Sequence, residues 1–252
     1  MKKIAVVTGA AGGLGKEIVR RILDDVNELW AVGRNLSKLD SLKAELGVKI
    51  VPLQMDLSDT KSYDVLKSRL SGGEYEVLWL VNNAGSGRFG PSAGFTLEEL
   101  SAGITSHCTA MASLCNICIS YMKKGSFIMN TASQSAFLPL PYMNLYAATK
   151  AFVYSYTRAL RIELKDSGIS VTAVCPGWIK TALLPEKLNG KTVNFPFLTT
   201  AEKVAKKAVK AARKRKPLMI NSLPVRFVSW MQRHLPQEFA IKTWARMVRK
   251  YV

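Results

Sequence analysis

Acidic side chains are in short supply in this chain. Its 252 residues hold 18 Asp and Glu against 36 Lys and Arg, a formal net charge of +18. That balance suggests an anionic ligand or surface and fixes no fold. Cysteine is also scarce. Cys108, Cys115, Cys118 and Cys175 are too few and too clustered for a disulfide scaffold. Cys115 and Cys118 form a C-x-x-C, but no second Cys pair or His pair completes a zinc set, so no metal is expected. The thiols read as buried and free, which implies a reducing, cytoplasmic compartment. Long apolar runs are missing too. The run after Met1-Lys2-Lys3 stops at Thr8-Gly9, too short for a signal peptide. The longest weakly charged stretch, 104–122, contains Thr105, Ser106, His107, Thr109, Ser113, Asn116 and Ser120. That is too polar for a lipid-spanning helix, so it reads as a buried core helix. Gly (17) and Pro (10) are near average, which excludes collagen-like and low-complexity chains. Apolar types reach 48% and charged types 21%, so the chain is globular rather than disordered.

What is present is an alternation. Short β-type runs at 4–8, 29–33, 49–55, 76–82, 126–131, 169–175 and 218–220 are separated by helical stretches. The helices are expected near 14–26, 37–46, 61–70, 97–123, 144–165 and 201–215. Most of the β runs are continuously apolar, as parallel strands covered on both faces require. Thr96-x-x-Glu99 is a capping box, and Gly47 and Gly168 stand where helices stop. The pattern predicts one α/β domain over 1–220, a doubly wound parallel Rossmann-type sheet of about seven strands with helices on both faces. A basic helical extension, 221–252, follows.

The first strand runs into Thr8-Gly9-Ala10-Ala11-Gly12-Gly13-Leu14-Gly15, where a helix begins. Glycines let the backbone turn tightly and let a pyrophosphate approach the free N–H groups of the helix. The spacing is neither G-x-G-x-x-G nor a P-loop, and a merely structural turn remains the alternative. The second strand ends at Val32-Gly33-Arg34-Asn35. An acidic residue at this tip would bind ribose hydroxyls. Gly33 instead leaves room, and the Arg34 guanidinium can fork onto a 2′-phosphate, which favours NADP over NAD. An ordinary surface Arg is the other reading. Asp56-Leu57, at the third strand tip, is placed to meet an adenine edge or to cap a helix.

The fourth strand ends in Asn82-Asn83-Ala84-Gly85: Asn can brace strand ends, and Ala-Gly lets a ring lie close. The fifth leads to Ser133, and Tyr146 and Lys150 follow, one helical turn apart on one face. A second Tyr-x-x-x-Lys, Tyr63 to Lys67, lies on an expected outer helix and reads as chance. Taken in order, Thr8-Gly-x3-Gly-x-Gly15, Asp56, Asn82-Asn83-Ala84-Gly85, Ser133, Tyr146-x3-Lys150 and Pro176-Gly177-x3-Thr181 resemble the short-chain dehydrogenases/reductases. These motifs span 4–181 and are jointly specific.

The resemblance implies an NADP-dependent oxidoreductase. Tyr146 would be the general acid/base, its pKa lowered by a nearby Lys150 ammonium. Ser133 would bond the reacting oxygen, and Lys150 would also hold the nicotinamide ribose. Gly9, Ala11, Gly12, Gly13, Leu14, Gly15, Arg34, Asp56, Leu57, Asn83, Ala84, Gly85, Pro176, Gly177, Ile179 and Thr181 would line the cofactor. Many family members place a water-relaying Asn where this chain has His107. Imidazole can hold that water or shuttle the proton itself, titrating near pH 6–7; a packing His is the alternative. Leu138, Leu140, Tyr142 and the segments Ala182-Leu183-Leu184-Pro185 and Asn194-Phe195-Pro196-Phe197 suggest a small hydrophobic substrate. A steroid, fatty-acyl or aromatic carbonyl compound would fit. The rival class is a non-catalytic NADP-binding sensor or scaffold, which has no need of the Ser–Tyr–Lys set.

The last 52 residues hold 14 Lys and Arg against 2 Glu. Pro224 and Pro236 look like first helical positions. Ala240, Trp244, Met247 and Tyr251 share one face, with Lys242, Arg246, Arg249 and Lys250 around them. Three readings stay open: a cap on its own subunit, a contact in a homo-oligomer, or a basic helix peripheral to an anionic membrane. Arg213-Lys214-Arg215-Lys216 reads as a solvated helix end. With no groove-reading motif, no nucleic-acid partner is expected.

Overall fold

The computed structural model describes every residue except Leu183, Pro185 and Val252. Seven strands form one parallel sheet: β1 (Lys2–Thr8), β2 (Glu28–Gly33), β3 (Ile50–Gln54), β4 (Tyr75–Asn82), β5 (Phe127–Thr131), β6 (Ser170–Val174) and β7 (Leu218–Met219). Their spatial order is β3-β2-β1-β4-β5-β6-β7. The order reverses between β1 and β4. Crossover connections diverge there and leave a crevice at the carboxyl ends of the strands.

Strand side chains alternate between two cores. Ile4 and Val6 join one cluster, Ala5 and Val7 the other, and all four are fully buried. The second cluster is covered by α1 (Gly13–Ile22), α2 (Leu36–Leu46) and α7 (Ala201–Arg213). The first lies under α3 (Tyr63–Ser71), α5 (Ala110–Ile119) and α6 (Asn144–Glu163). Both faces need apolar residues, so the strands read as unbroken runs rather than alternating ones. Pro52 is tolerated because β3 is an edge strand.

The helix expected over 97–123 is continuous over Leu97–Ile119, but a π turn divides it into two parts of different burial. α4 (Leu97–Ile104) carries the capping box and has no buried residue. A π turn, Thr105–Thr109, then leads into α5. By length and composition the run Leu97–Ile119 would pass as a membrane span, but Leu114, Cys115 and Cys118 are fully buried in the core. The buried core helix is thus α5, while α4 lies on the surface, where Glu98 and Glu99 favour water. All four cysteines are free and buried, and burial pushes the Cys115 and Cys175 thiols up to about 12. Arg213 in the basic cluster pairs with Asp25 at 2.8 Å, tying α7 to the turn after α1.

Two more helices follow the sheet: α8 (Leu223–His234) and α9 (Gln237–Val248). Pro224 lies in the first turn of α8, and Pro236 is the residue before α9.

Candidate active site

The tip of β1 is bound to the tip of β4. Thr8 Oγ1 accepts the N–H of Asn83 at 2.9 Å and of Ala84 at 3.0 Å, and Asn83 Nδ2 donates to the Thr8 carbonyl at 3.3 Å. Gly9 turns between them with φ of +63°, and a Cβ there would lie 3.0 Å from Ala84 Cα. A Cβ on Gly15 would lie 2.0 Å from the Gly9 carbonyl oxygen, so only glycine lets α1 close onto this turn. Gly12 precedes α1 with no side-chain cap, and the first turn holds no acidic residue. Its N–H groups are left for an anion, and the arrangement fits a dinucleotide pyrophosphate.

Ser133, Tyr146 and Lys150 come together across the strand tips. Ser133 follows β5 in extended backbone, and its Oγ accepts the Ser135 N–H at 3.1 Å. It also hydrogen-bonds the Tyr146 hydroxyl. Tyr146 and Lys150 lie one turn apart on α6, which packs Val153 and Leu160 into the core on the sheet. Lys150 is buried; its Nζ donates to the Thr131 carbonyl at 2.8 Å and lies 5.7 Å from the Tyr146 ring centre. Burial pushes the Lys150 ammonium down to about 8. These three residues line one cavity of about 620 Å³. Gly9, Gly12, Gly13 and Leu14, then Asn83, Ala84 and Gly85, then Pro176, Gly177, Ile179 and Thr181 border the same space. A Cβ on Gly13 would meet Thr181 at 3.0 Å, and one on Gly85 would meet Lys150 Nζ at 3.2 Å.

The rest of the cavity is largely apolar. Leu138, Leu140, Met143, Trp178, Leu184 and Phe197 continue the wall. Val228, Met231 and Leu235 of α8 and its end, with Ala240 and Trp244 of α9, complete it. Trp244 Nε1 donates to the Pro141 carbonyl at 3.0 Å, fixing α9 against the loop between β5 and α6. The extension therefore packs on its own subunit over the reactive end.

The short chain dehydrogenase family model matches residues 3–192. The chain belongs to the short-chain dehydrogenases. It is 32% identical over 225 residues to mouse (Mus musculus) 17-beta-hydroxysteroid dehydrogenase type 3, covering 83% of this chain and 69% of the relative. It is 30% identical over 215 residues to rat (Rattus norvegicus) very-long-chain 3-oxoacyl-CoA reductase, covering 81% and 68%. A solved short-chain dehydrogenase from Sphingobium yanoikuyae, in complex with NADPH, superposes with a TM-score of 0.76 at 26% identity, covering 98% of this chain and 95% of that one. Structures sharing the fold include complexes with NADP and with NAD.

Several residues expected to contact the cofactor lie outside the lining of this cavity. Ala11, Gly15, Arg34, Asp56 and Leu57 do not line the cavity. Gly15 packs under the turn. Arg34 and Asp56 are exposed beyond the β2 and β3 tips, where the guanidinium helps hold the carboxyl below its usual range, after the larger effect of two hydrogen bonds from Ser58. Leu57 is buried, its carbonyl accepting the Tyr63 hydroxyl at 2.9 Å. Tyr142, whose φ is +66°, is also outside the lining. Phe195 packs on Trp178, ring centres 4.7 Å apart, and leaves the wall to Phe197. Leu183 and Pro185 lie outside the described residues.

Two electrostatic expectations change. The Tyr146 hydroxyl is not shifted down. Burial raises its pKa, and the bond with Ser133 only partly offsets this, because desolvation penalises phenolate more than one hydroxyl repays. His107 does not titrate near pH 6–7. Burial and the neighbouring Lys150 push it down to about 3. Its Nε2 accepts the Ser86 N–H at 2.9 Å and its Nδ1 bonds Thr149 Oγ1 at 3.0 Å. Thr149 spends its own proton on the Tyr146 carbonyl at 2.9 Å, so the imidazole is the neutral Nδ1–H form. Ser86 and Thr149 went unnoticed in the sequence, because hydrogen-bond braces have no spacing signature. The wall from α8 and α9 was foreshadowed only by the length and amphipathic character of the tail.

Proposed function

We propose that this short-chain dehydrogenase transfers hydride between NADP(H) and a bulky hydrophobic ketone or secondary alcohol, with Tyr146 as its acid/base. The observation that carries this reading is the shared cavity: Ser133, Tyr146 and Lys150 stand at one side of a space of about 620 Å³ whose remaining wall is mostly apolar. A volume of that order suits a ligand the size of a steroid or an acyl chain. The relatives named for a hydroxysteroid and for a 3-oxoacyl-CoA substrate support the same substrate class.

When bound, the nicotinamide supplies or accepts the hydride. The chain's residues do the rest. The backbone N–H groups of Gly13 and Leu14 hold the pyrophosphate, that of Gly12 being donated to the Gly9 carbonyl at 3.0 Å, and Gly85 leaves room for the ring beside Lys150. Arg34 binds the 2′-phosphate, which favours NADPH over NADH. Ser133 holds the substrate oxygen. Tyr146, kept as a neutral phenol by burial, donates its proton to that oxygen as a carbonyl is reduced. Lys150, charged below about pH 8, stabilises the phenolate left behind.

The test is a panel of ketones and alcohols assayed with NADPH and NADH at the nicotinamide absorbance. Bulky hydrophobic ketones with NADPH should give the highest kcat/KM. A protein that binds NADPH but turns over nothing on the panel would be the non-catalytic sensor instead.

A further inference from the structure

Exposed apolar residues are concentrated at one end of the chain. Among the described residues, Phe197, Leu198, Leu223, Phe227, Trp230, Leu235, Phe239 and Met247 are half of the exposed large hydrophobics, within 51 residues of sequence. On α8 they form a stripe. Leu223, Phe227 and Trp230, at 77%, 60% and 51% exposure, follow helical spacing and end at His234. Phe227 stacks on Trp230 at 6.2 Å and Trp230 on His234 at 4.8 Å, so the stripe is a continuous aromatic surface. The opposite face of α8 is occupied: Val225 and Ser229 are buried, and Val228 and Met231 line the cavity. On α9, Phe239 and Met247 are exposed and also border the cavity, so they form its mouth.

Charge accompanies this surface. Residues 223–251 hold six Lys and Arg and one Glu. Among the described residues the one ion pair here is Lys242 with Glu238, at 4.0 Å; Arg226, Arg246 and Arg249 form none. An aromatic stripe flanked by cations suits the boundary of an anionic bilayer, where rings enter the acyl edge and basic groups meet phosphates. A second copy of the same face would set like charge against like.

We infer that α8 and α9 form a membrane-docking surface, whose occupant is an anionic lipid bilayer, with the cavity mouth opening beside it. The docking itself stands on the surface alone. Entry of an apolar substrate from the bilayer through Phe239 and Met247 rests on the oxidoreductase reading above.

Full-length protein is sedimented with phosphatidylcholine vesicles, with and without about 30% phosphatidylserine, at low and high salt. Wild type should pellet with the anionic vesicles and be released by salt. The double variant Phe227→Ser/Trp230→Ser should partition about tenfold less or weaker. Neither residue lines the cavity, so NADPH binding and turnover of a soluble substrate should match wild type, which also shows that the variant folds. Arg226→Glu/Arg246→Glu should lose the dependence on phosphatidylserine. Wild type left in the supernatant with anionic vesicles would overturn the docking surface. So would a double variant that binds as wild type does, or a wild-type dimer that this variant splits while vesicles capture neither. Vesicle binding is read without catalysis, so an inactive substrate panel leaves it standing.

Discussion

His107 Nε2 accepts the backbone N–H of Ser86 at 2.9 Å, which joins the π turn to the loop after β4. Its other nitrogen reaches α6 through Thr149. The ring therefore braces the loop carrying Gly85 against the helix carrying Tyr146 and Lys150, and it has no free nitrogen to shuttle a proton.

The imidazole should leave a signature in stability rather than in rate. Between pH 6.5 and about 3 the unfolded chain binds a proton at His107 that the folded chain does not. Stability must then fall as pH falls through this window, by about 1.4 kcal/mol per pH unit. Denaturant unfolding at pH 7 and pH 5 should show wild type losing about 2 kcal/mol more than His107→Asn. Equal losses would mean that the folded imidazole titrates normally.

The pH–rate profile for ketone reduction should be flat across pH 6–7, where no group in the site changes charge. It should fall above about pH 8, as Lys150 loses its proton and no longer supports the Tyr146 phenolate. An inflection at pH 6–7 that His107→Asn removes would restore a shuttle role for the imidazole.

Tyr146→Phe keeps the ring on α6 and removes the proton beside Ser133. Turnover should drop by about 10²–10⁴-fold, while NADPH binding, followed by fluorescence titration, changes little. Near-wild-type turnover would remove Tyr146 from the proton transfer.

Arg34→Ala separates the cofactors. A charge-assisted hydrogen bond is worth about 1.5–3 kcal/mol, so the NADPH Kd should rise about ten- to a hundredfold. NADH carries no 2′-phosphate and should be bound almost as before. Equal weakening of both would make Arg34 a structural residue of the β2 tip.

What the sequence disclosed follows from how locally each feature is encoded. The strands β1 and β4 are apolar on both faces and could be little else, and the glycines at 9 and 15 mark a turn that no side chain tolerates. Ser133, Tyr146 and Lys150 were legible through the family resemblance of the ordered motifs, since a Tyr-x-x-x-Lys alone recurs at Tyr63 and Lys67. Other features depend on contacts between distant segments. The π turn at Thr105–Thr109 lies within a continuous helical pattern, and the bonds of His107 reach residues 21 and 42 positions away. Tyr146 and Lys150 were read as a pair of charges, yet burial dominates both, and burial belongs to the assembled cavity. The position of α9 rests on a hydrogen bond across 103 residues, from Trp244 to Pro141.

That bond makes Trp244 the test of how the extension shapes specificity. Its indole contacts the cluster of Leu138, Leu140, Met143 and Ala147, and its ring is stacked 6.5 Å from Trp178. Trp244→Ala removes a large apolar surface and the donor that holds α9 to the loop before α6. Neither change touches Ser133, Tyr146, Lys150 or the glycine turn. Trp244 is only partly buried, so its truncation costs less than the roughly 3–5 kcal/mol of a core Trp, but with the bond to Pro141 also lost it loosens α9 against the cavity. For a bulky hydrophobic ketone, KM should rise at least about tenfold, because apolar contacts to the substrate are lost. For a small ketone that never reaches α9, kcat/KM should stay within a few-fold of wild type. NADPH affinity should also hold, since the cofactor end of the cavity is built from other elements. If both ketones lose kcat equally at unchanged KM, α9 supports the catalytic residues rather than the substrate, and the apolar wall it forms is not the specificity surface.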